Sequence, residues 1–175
     1  MTKVFRFGFL ASIMIAMIGF SGCGSKDGDD GNDGNGGTEN CDCNLTASVT
    51  LPEGWKKVYA VNGESWERDD YIWACVDLFS ECIPSKCKTA EDFAKYNQSE
   101  MKKNLDCDFG PVSKIKVGGR DAVTYEYTMY SLRKDKLIHI CTGNCAYSIN
   151  VGSMTATYAS LADDFQAIID SYTLK

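Results

Sequence analysis

Cysteine is the residue type in this sequence with the clearest chemistry. The chain has nine cysteines among its 175 residues. Cys23 directly follows an apolar N-terminal run that ends in small residues, and it is considered separately below. The other eight are an even number, which in an exported protein indicates disulfide bonds. They are Cys41, Cys43, Cys75, Cys82, Cys87, Cys107, Cys141 and Cys145.

A metal or redox centre is the alternative use of these thiols. Structural zinc sites favour paired spacings such as C-x₂-C, whereas neighbouring cysteines here have one (41 and 43), four (82 and 87) or three (141 and 145) residues between them. The sequence also contains no C-x-x-C motif of the thioredoxin type. We therefore expect structural disulfides, no bound metal and no cofactor.

Helix geometry restricts the pairing of the eight cysteines. Cys87 and Cys107 flank a predicted helix roughly 27 Å long, whereas the Cα atoms of a disulfide lie within about 7 Å of each other, so these two should not pair. Cys41 and Cys43 are too close for an unstrained bond with each other. We expect the pairs Cys82–Cys87 and Cys141–Cys145, with Cys41 and Cys43 bonded to Cys75 and Cys107.

The residue types of general acid–base catalysis form no recognisable constellation. The single histidine, His139, lies on a predicted strand with no Ser or Asp fixed beside it. The Asp69-Asp70 and Asp163-Asp164 pairs fit a turn and a helix start. We expect no catalytic residue and no enzymatic activity. An envelope hydrolase assembled from scattered residues, a purely structural component, and an aromatic groove lined by Trp55, Trp66 and Trp73 stay open as alternatives.

Residues 1–22 are predicted to be an export signal. Lys3 and Arg6 precede an uncharged apolar run, which is too short for a comfortable membrane span. The segment Phe20-Ser-Gly-Cys23 resembles a bacterial lipobox, which implies cleavage before Cys23 and acylation of its thiol and amine by groups such as palmitate. Two or three acyl chains anchor a protein durably in the lipid bilayer. We expect a cell-envelope lipoprotein on the extracytoplasmic side, in the outer membrane rather than the inner one if there are two.

Residues 23–40 are predicted to be a flexible acidic tether. After Cys23 they read GSKDGDDGNDGNGGTEN, with no apolar residue to bury. The Asp/Asn-Gly repeats do not match an EF-hand, because the loop starting at Asp29 has Gly31 at its third position and Asn40 at its twelfth. The sequence contains no basic stripe that would attract a polyanion, so we expect no nucleic-acid partner. We expect a protein or small-molecule partner of unknown identity.

Residues 41–175 are predicted to form one globular domain. Short apolar runs before residue 80 indicate strands, and Tyr71 to Phe79 is predicted to be one of them. Thr89-Ala-Glu-Asp92 predicts a capped helix, Gly118-Gly119 a hairpin turn and Arg133 to Lys136 a charged turn. A last helix capped at Ser160 presents an apolar stripe. The order predicts an α+β fold, with two helices on an antiparallel sheet.

The order of five motifs resembles the PsbP-like α/β/α sandwich family, which includes bacterial lipoproteins such as DcrB and LpqN. The motifs are Leu51-Pro-Glu-Gly-Trp55, the first helix, Val117-Gly-Gly-Arg-Asp-Ala122, the Tyr147 strand and Phe165-Gln-Ala-Ile-Ile-Asp-Ser171. The resemblance covers about residues 46–175 and implies a non-enzymatic accessory, assembly or binding module. It supplies no catalytic residues, and the family's cores usually contain few cysteines.

Overall fold

The computed structural model describes residues 41–175. The expected export signal (1–22), the acylated Cys23 and the tether (23–40) lie outside the described residues. Between residues 41 and 175, no helix is long and apolar enough to cross a membrane.

One large antiparallel sheet organises the domain. Its strand order is β2-β3-β4-β9-β8-β7-β5, with β6 also paired to β7, while β1 and β10 form a separate two-stranded sheet. The strands are β1 Ala47–Ser48, β2 Trp55–Val58, β3 Glu64–Arg68, β4 Cys75–Cys82, β5 Cys107–Phe109, β6 Ser113–Val117, β7 Arg120–Met129, β8 Arg133–Thr142, β9 Cys145–Met154 and β10 Thr173–Leu174. The long central strands β7, β8 and β9 contribute buried side chains to the clusters on both faces of the sheet.

Helix α1, Ala90–Asn104, covers one face of the sheet. Its predicted N-terminus is confirmed: Thr89 and Asp92 form a reciprocal capping box, which satisfies backbone donors of the first turn. Phe93, Ala94 and Met101 are buried, as their helical spacing predicts. The helix packs against β5, β7 and β8.

A second helical layer covers the opposite face. It consists of α2 (Thr155–Tyr158), a 3₁₀ turn (Ala159–Leu161) and α3 (Ala162–Asp170). The predicted apolar stripe is buried against this face. The predicted cap at Ser160 is wrong, because the 3₁₀ turn carries the chain into α3 and Leu161 makes no side-chain capping bond. The stripe consists of Leu161, Phe165, Ile168, Ile169 and Tyr172.

Two segments differ from the sequence prediction near the edge of the sheet. β4 begins at Cys75 instead of Tyr71, because the preceding residues turn and Trp73 has a φ of 59°. The structure adds β3, which pairs with β2 across a turn at Gly63. Gly63 has a φ of +85°, and a Cβ there would overlap the Leu78 carbonyl, so the turn requires glycine.

The layers confirm an α+β fold with two helical layers around an antiparallel sheet. Each face has its own buried cluster, one centred on Ile138, Ile149 and Phe165 and the other on Tyr125 and Met101. The sheet thus separates two interior compartments. Disulfides reinforce one end of it.

Candidate functional site

Two disulfides fix the start of the described chain to the sheet. Cys41 is bonded to Cys82 and Cys43 to Cys145, with a Cα–Cα distance of 5.6 Å in each pair. Cys82 and Cys145 face each other across β4 and β9. The two bonds therefore hold residues 41 and 43 against the same end of the sheet.

The predicted pairings are wrong. Cys82 does not bond Cys87, and Cys145 does not bond Cys141, because the N-terminal segment supplies both partners. Cys41 and Cys43 do not bond Cys75 and Cys107 either, although each bonds a distant cysteine and not the other, as expected. The described chain leaves four thiols free, namely Cys75, Cys87, Cys107 and Cys141.

The paired cysteines form a compact sulfur cluster. The sulfurs of Cys41, Cys43 and Cys145 lie within 4.8 Å of one another, and the Cys41 and Cys43 sulfurs are 3.3 Å apart. Thiolates so close could ligate a soft metal ion. In this structure the sulfurs are engaged in disulfides, so no thiolate is available to do so.

A buried ionic network lies on the α1 face, beyond the part that α1 covers. The Arg133 guanidinium donates to both oxygens of Asp135, at 2.7 and 2.8 Å, and to the Cys75 sulfur at 2.7 Å. It also donates to the Trp73 carbonyl at 3.3 Å. Arg133 is 7% exposed and Asp135 is 0% exposed. Removing either residue would leave the charge of the other buried and unpaired. The charged turn predicted at 133–136 is wrong, since these residues begin β8.

Three further polar residues extend this network across β3, β4 and β9. Asn150 donates to Asp135 at 3.1 Å and to Asp77 at 3.3 Å. The Ser65 hydroxyl donates to Asp77 at 2.6 Å. Burial raises the pKa of Asp77, against the opposing hydrogen bond from Ser65. This set fixes the register of four neighbouring strands.

His139 and Ser148 form a sealed pair. Nδ1 of His139 lies 2.7 Å from the Ser148 hydroxyl oxygen, the distance expected of a base and a nucleophile. Both residues are 0% exposed, and Phe93 packs edge-on against the imidazole. Burial lowers the pKa of His139 to about 3, so the ring is neutral at physiological pH. The pair lies in the core beneath α1, and the other ring nitrogen, Nε2, has no hydrogen-bond partner among residues 41–175.

The carboxylate pairs singled out in the sequence meet at one arginine. Arg68 donates to Asp70 at 2.8 Å and also pairs with Asp164. The hydrogen bond from Arg68 lowers the pKa of Asp70. The Trp55 indole donates to the same Asp164 at 3.3 Å. This group ties α3 to the β2–β3 hairpin.

The three tryptophans lie in different environments and do not line one groove. Trp55 is buried against Phe165. Trp66 is partly buried against the same core, below the Lys57 ammonium. Trp73 is 40% exposed on the turn before β4. The alternative of a single aromatic groove lined by these three residues therefore does not hold, and Trp55 and Trp66 pack in or against the core.

An open cleft of about 430 Å³ lies between the start of α1, the β6–β7 hairpin and the end of β8. Val123, which belongs to the buried cluster on the α1 face, gives it an apolar floor. Lysines and carboxylates lie at its exposed rim, where the Lys114 ammonium is 3.6 Å from the Glu91 carboxylate. Two free thiols also line it. The lining comprises Ile83, Cys87, Lys88, Thr89, Ala90, Glu91, Lys114, Ile115, Asp121, Ala122, Val123, Cys141 and Gly143.

The sequence analysis missed this cleft and the buried ionic network. The cleft joins three segments that are distant in sequence, so no local pattern marks it. A signal for the network was present in part: Arg133, Asp135 and Leu137 alternate along a strand that continues to Cys141. Extending that strand backwards would have placed both charges on one face.

Comparison with known proteins identifies the architecture. No family model and no curated protein sequence matches the chain. The solution structure of cyanobacterial PsbP (CyanoP) from Synechocystis sp. PCC 6803 is similar, with a TM-score of 0.54 and 13% identity over 81% of this chain and 98% of that one. The crystal structure of LpqN, involved in cell envelope biogenesis of Mycobacterium tuberculosis, has a TM-score of 0.59 and 10% identity over 75% and 84% of the two chains.

Both neighbours share the layered arrangement described above, at identities that bear on fold alone. The described domain therefore has the PsbP-like α/β/α sandwich fold.

Proposed function

We propose that this protein is a lipid-anchored, non-catalytic binding or assembly module on the extracytoplasmic side of a bacterial envelope. In this proposal the acylated Cys23 holds it at the bilayer, residues 23–40 act as a spacer, and the cleft beside α1 binds a protein segment or small molecule. The outer membrane is the proposed location where there are two membranes.

The observation that carries the proposal is the pair of disulfides at the start of the domain. Such bonds persist in oxidising compartments outside the cytoplasm. They also attach residues 41 and 43 to β4 and β9, so a pull on the preceding chain would reach the sheet through covalent bonds. This arrangement suits a domain that is held by its N-terminus.

The cleft supports the binding part of the proposal. Its apolar floor is surrounded by positively charged lysines and negatively charged carboxylates. This composition suits a ligand that has both apolar and charged groups. The Ser148–His139 pair, unlike the cleft, is fully buried, so a ligand on the surface does not reach it. The involvement of LpqN in cell envelope biogenesis is compatible with an accessory role here.

Membrane fractionation of the full chain tests the anchor. Wild-type protein should sediment with membranes and carry fatty acyl groups on Cys23, whereas Cys23→Ser should leave soluble protein or unprocessed precursor. Unchanged membrane association of a processed Cys23→Ser variant would contradict the anchor. Separating the inner and outer membranes tests the proposed location.

Site-specific photo-crosslinking in cells tests the cleft. A photoreactive amino acid in place of Lys114, at the rim, should give a discrete crosslinked product. The matched control replaces Tyr59, which is 82% exposed and does not line the cleft. Equal crosslinking patterns at the two positions would contradict ligand binding in the cleft.

A further inference from the structure

Four thiols of the described chain take no part in the two disulfides. Cys75 and Cys107 are buried, while Cys87 and Cys141 are partly exposed. Cys75 begins β4, Cys107 begins β5 and Cys141 is near the end of β8. Cys87 lies on the loop between β4 and α1.

Sheet geometry prevents Cys75 and Cys107 from pairing with each other. The strand order β4-β9-β8-β7-β5 separates them by four steps. Neighbouring strands are about 4.8 Å apart, so the two Cα atoms lie on the order of 19 Å from each other. Disulfide Cα atoms are within about 7 Å.

Strand register separates both buried thiols from Cys141. On β9, Cys75 is level with Gly152 and Cys141 with Ala146, which is six residues along the strand and about 20 Å. Cys107 on β5 pairs with Met129 on β7, and Met129 pairs with Arg133 on β8. Arg133 is eight residues from Cys141 along β8. Cys141 therefore lies at the opposite end of the sheet from Cys75 and Cys107.

The loop that carries Cys87 lies at the Cys141 end. It leaves β4 after Cys82, and the Ile83 amide donates to the Asn144 carbonyl at 2.7 Å in the β8–β9 turn. The Cys87 amide then donates to the Pro84 carbonyl at 2.8 Å, which bends the chain back toward α1. Cys87 and Cys141 consequently line the same cleft.

The two thiols are within electrostatic range of each other and are protonated at rest. Burial, followed by the charges of Glu81 and Cys87, raises the pKa of Cys141 to about 11. Burial also raises the pKa of Cys87. Neither cysteine is an activated thiolate at neutral pH. We therefore expect the two thiols to be oxidised by exchange with a reactive disulfide and not spontaneously.

We propose that Cys87 and Cys141 form a third, redox-controlled disulfide across the cleft. The oxidant is the disulfide of an extracytoplasmic dithiol–disulfide oxidoreductase. One thiolate attacks that disulfide and releases a thiolate of the oxidant. The second thiol, after losing its proton, displaces the oxidant from the mixed disulfide. The net change forms one S–S bond here, moves two hydrogens to the oxidant and reduces its disulfide to a dithiol.

The bond would fix the Cys87 loop to β8 and restrict the width of the cleft. Its redox state would thus control access to the apolar floor at Val123. This consequence for ligand binding rests on the proposed function, whereas formation of the bond does not. Cys75 and Cys107 would stay as buried thiols in both states.

Peptide mapping by mass spectrometry tests the bond without any ligand. The full chain is incubated with an oxidised thioredoxin-fold oxidoreductase, alkylated without reduction and digested. A peptide containing Cys87 linked to one containing Cys141 is expected, and this link should disappear in the Cys87→Ser variant while the two observed disulfides persist. Reduced controls should show both cysteines alkylated.

Three results would overturn the proposal. These are alkylation of both Cys87 and Cys141 after oxidation, a mixed disulfide at Cys87 that never resolves, and a link from either residue to Cys75 or Cys107. A positive map with no crosslinked product from position 114 would refute the binding function alone. A crosslinked product without the Cys87–Cys141 link would refute the disulfide alone.

Discussion

Gly152 on β9 leaves the space that the Asp135 carboxylate on β8 occupies. The two residues are cross-strand partners, and a Cβ at position 152 would overlap Oδ1 of Asp135 and approach the Arg133 guanidinium to 3.1 Å. The buried ion pair therefore depends on the absence of a side chain on the neighbouring strand. A glycine in the middle of a covered strand otherwise weakens it.

Gly152→Ala should destabilise the domain by about 1–3 kcal/mol, because the methyl group displaces a carboxylate that is held between Arg133 and Asn150. Urea unfolding followed by circular dichroism measures the loss. The control is Gly110→Ala, where the new Cβ would be 3.4 Å from the Glu126 carbonyl. Equal free energies of unfolding for the two variants would show that the Asp135 carboxylate moves away from the new methyl group without loss of stability.

Removing either disulfide should lower the free energy of unfolding by about 2–5 kcal/mol, because an open chain has more conformations to lose on folding. The Cys43–Cys145 bond spans 102 residues of sequence and Cys41–Cys82 spans 41, so Cys43→Ser/Cys145→Ser should cost more than Cys41→Ser/Cys82→Ser. Denaturant titration of both double variants checks the order. Cys87→Ser, compared with wild-type protein in which Cys87 and Cys141 are both thiols, keeps both bonds and should change stability little.

Glu81 should make the domain less stable as the pH rises from about 4.5 to 7. Burial raises its pKa from 4.5 to about 7, despite the opposing hydrogen bond from Asn97. The folded state holds a proton that the unfolded chain releases above pH 4.5, so stability present at low pH is lost through pH 7. Since the residue is partly exposed, the loss should be about 1–3 kcal/mol.

The Glu81→Gln variant removes this titration. Measured by urea unfolding at pH 4.5 and pH 7.5, the stability of this variant relative to the wild type should be greater at pH 7.5 than at pH 4.5. Glu91→Gln, at the cleft rim, is the matched control and should follow the wild-type profile. Parallel profiles for wild type and Glu81→Gln would mean that the Glu81 carboxyl has an ordinary pKa.

Local patterns predicted much of the fold. Helix α1 follows from a capping sequence and an apolar face that agree with each other, and the β6–β7 hairpin follows from two β-rich runs around Gly118-Gly119. Gly118 and Gly119 both have positive φ, as such a turn requires. These signals lie within about fifteen residues of one another, so no tertiary contact is needed to interpret them.

The cysteine pairing and the ionic network could not be predicted in the same way. Cys41 and Cys43 precede the first strand, and only the finished sheet brings Cys82 beside Cys145 to receive them. Arg133 and Asp135 look like a solvated turn until the folded sheet places Cys75 and Asn150 within hydrogen-bonding distance of them. Both features depend on contacts between segments far apart in sequence.

His139 should remain neutral far below the usual pKa of a histidine. Burial lowers its pKa to about 3 from 6.5, so the folded ring resists protonation while the unfolded ring accepts a proton below pH 6.5. Stability is therefore full above pH 6.5 and is lost toward pH 3, at up to about 1.4 kcal/mol per pH unit. In the wild type, Glu81 opposes this slope between pH 4.5 and 6.5, so the Glu81→Gln variant should reveal it.

NMR can follow this residue directly, because the chain contains one histidine and its ring signals need no assignment by mutation. In the folded protein the ring proton shifts should stay constant between pH 8 and 4.5. In denaturing urea the same signals should titrate with a midpoint near 6.5. A midpoint near 6.5 in the folded protein would show that water reaches the imidazole, and it would reopen the Ser148–His139 pair as a base and nucleophile accessible to substrate.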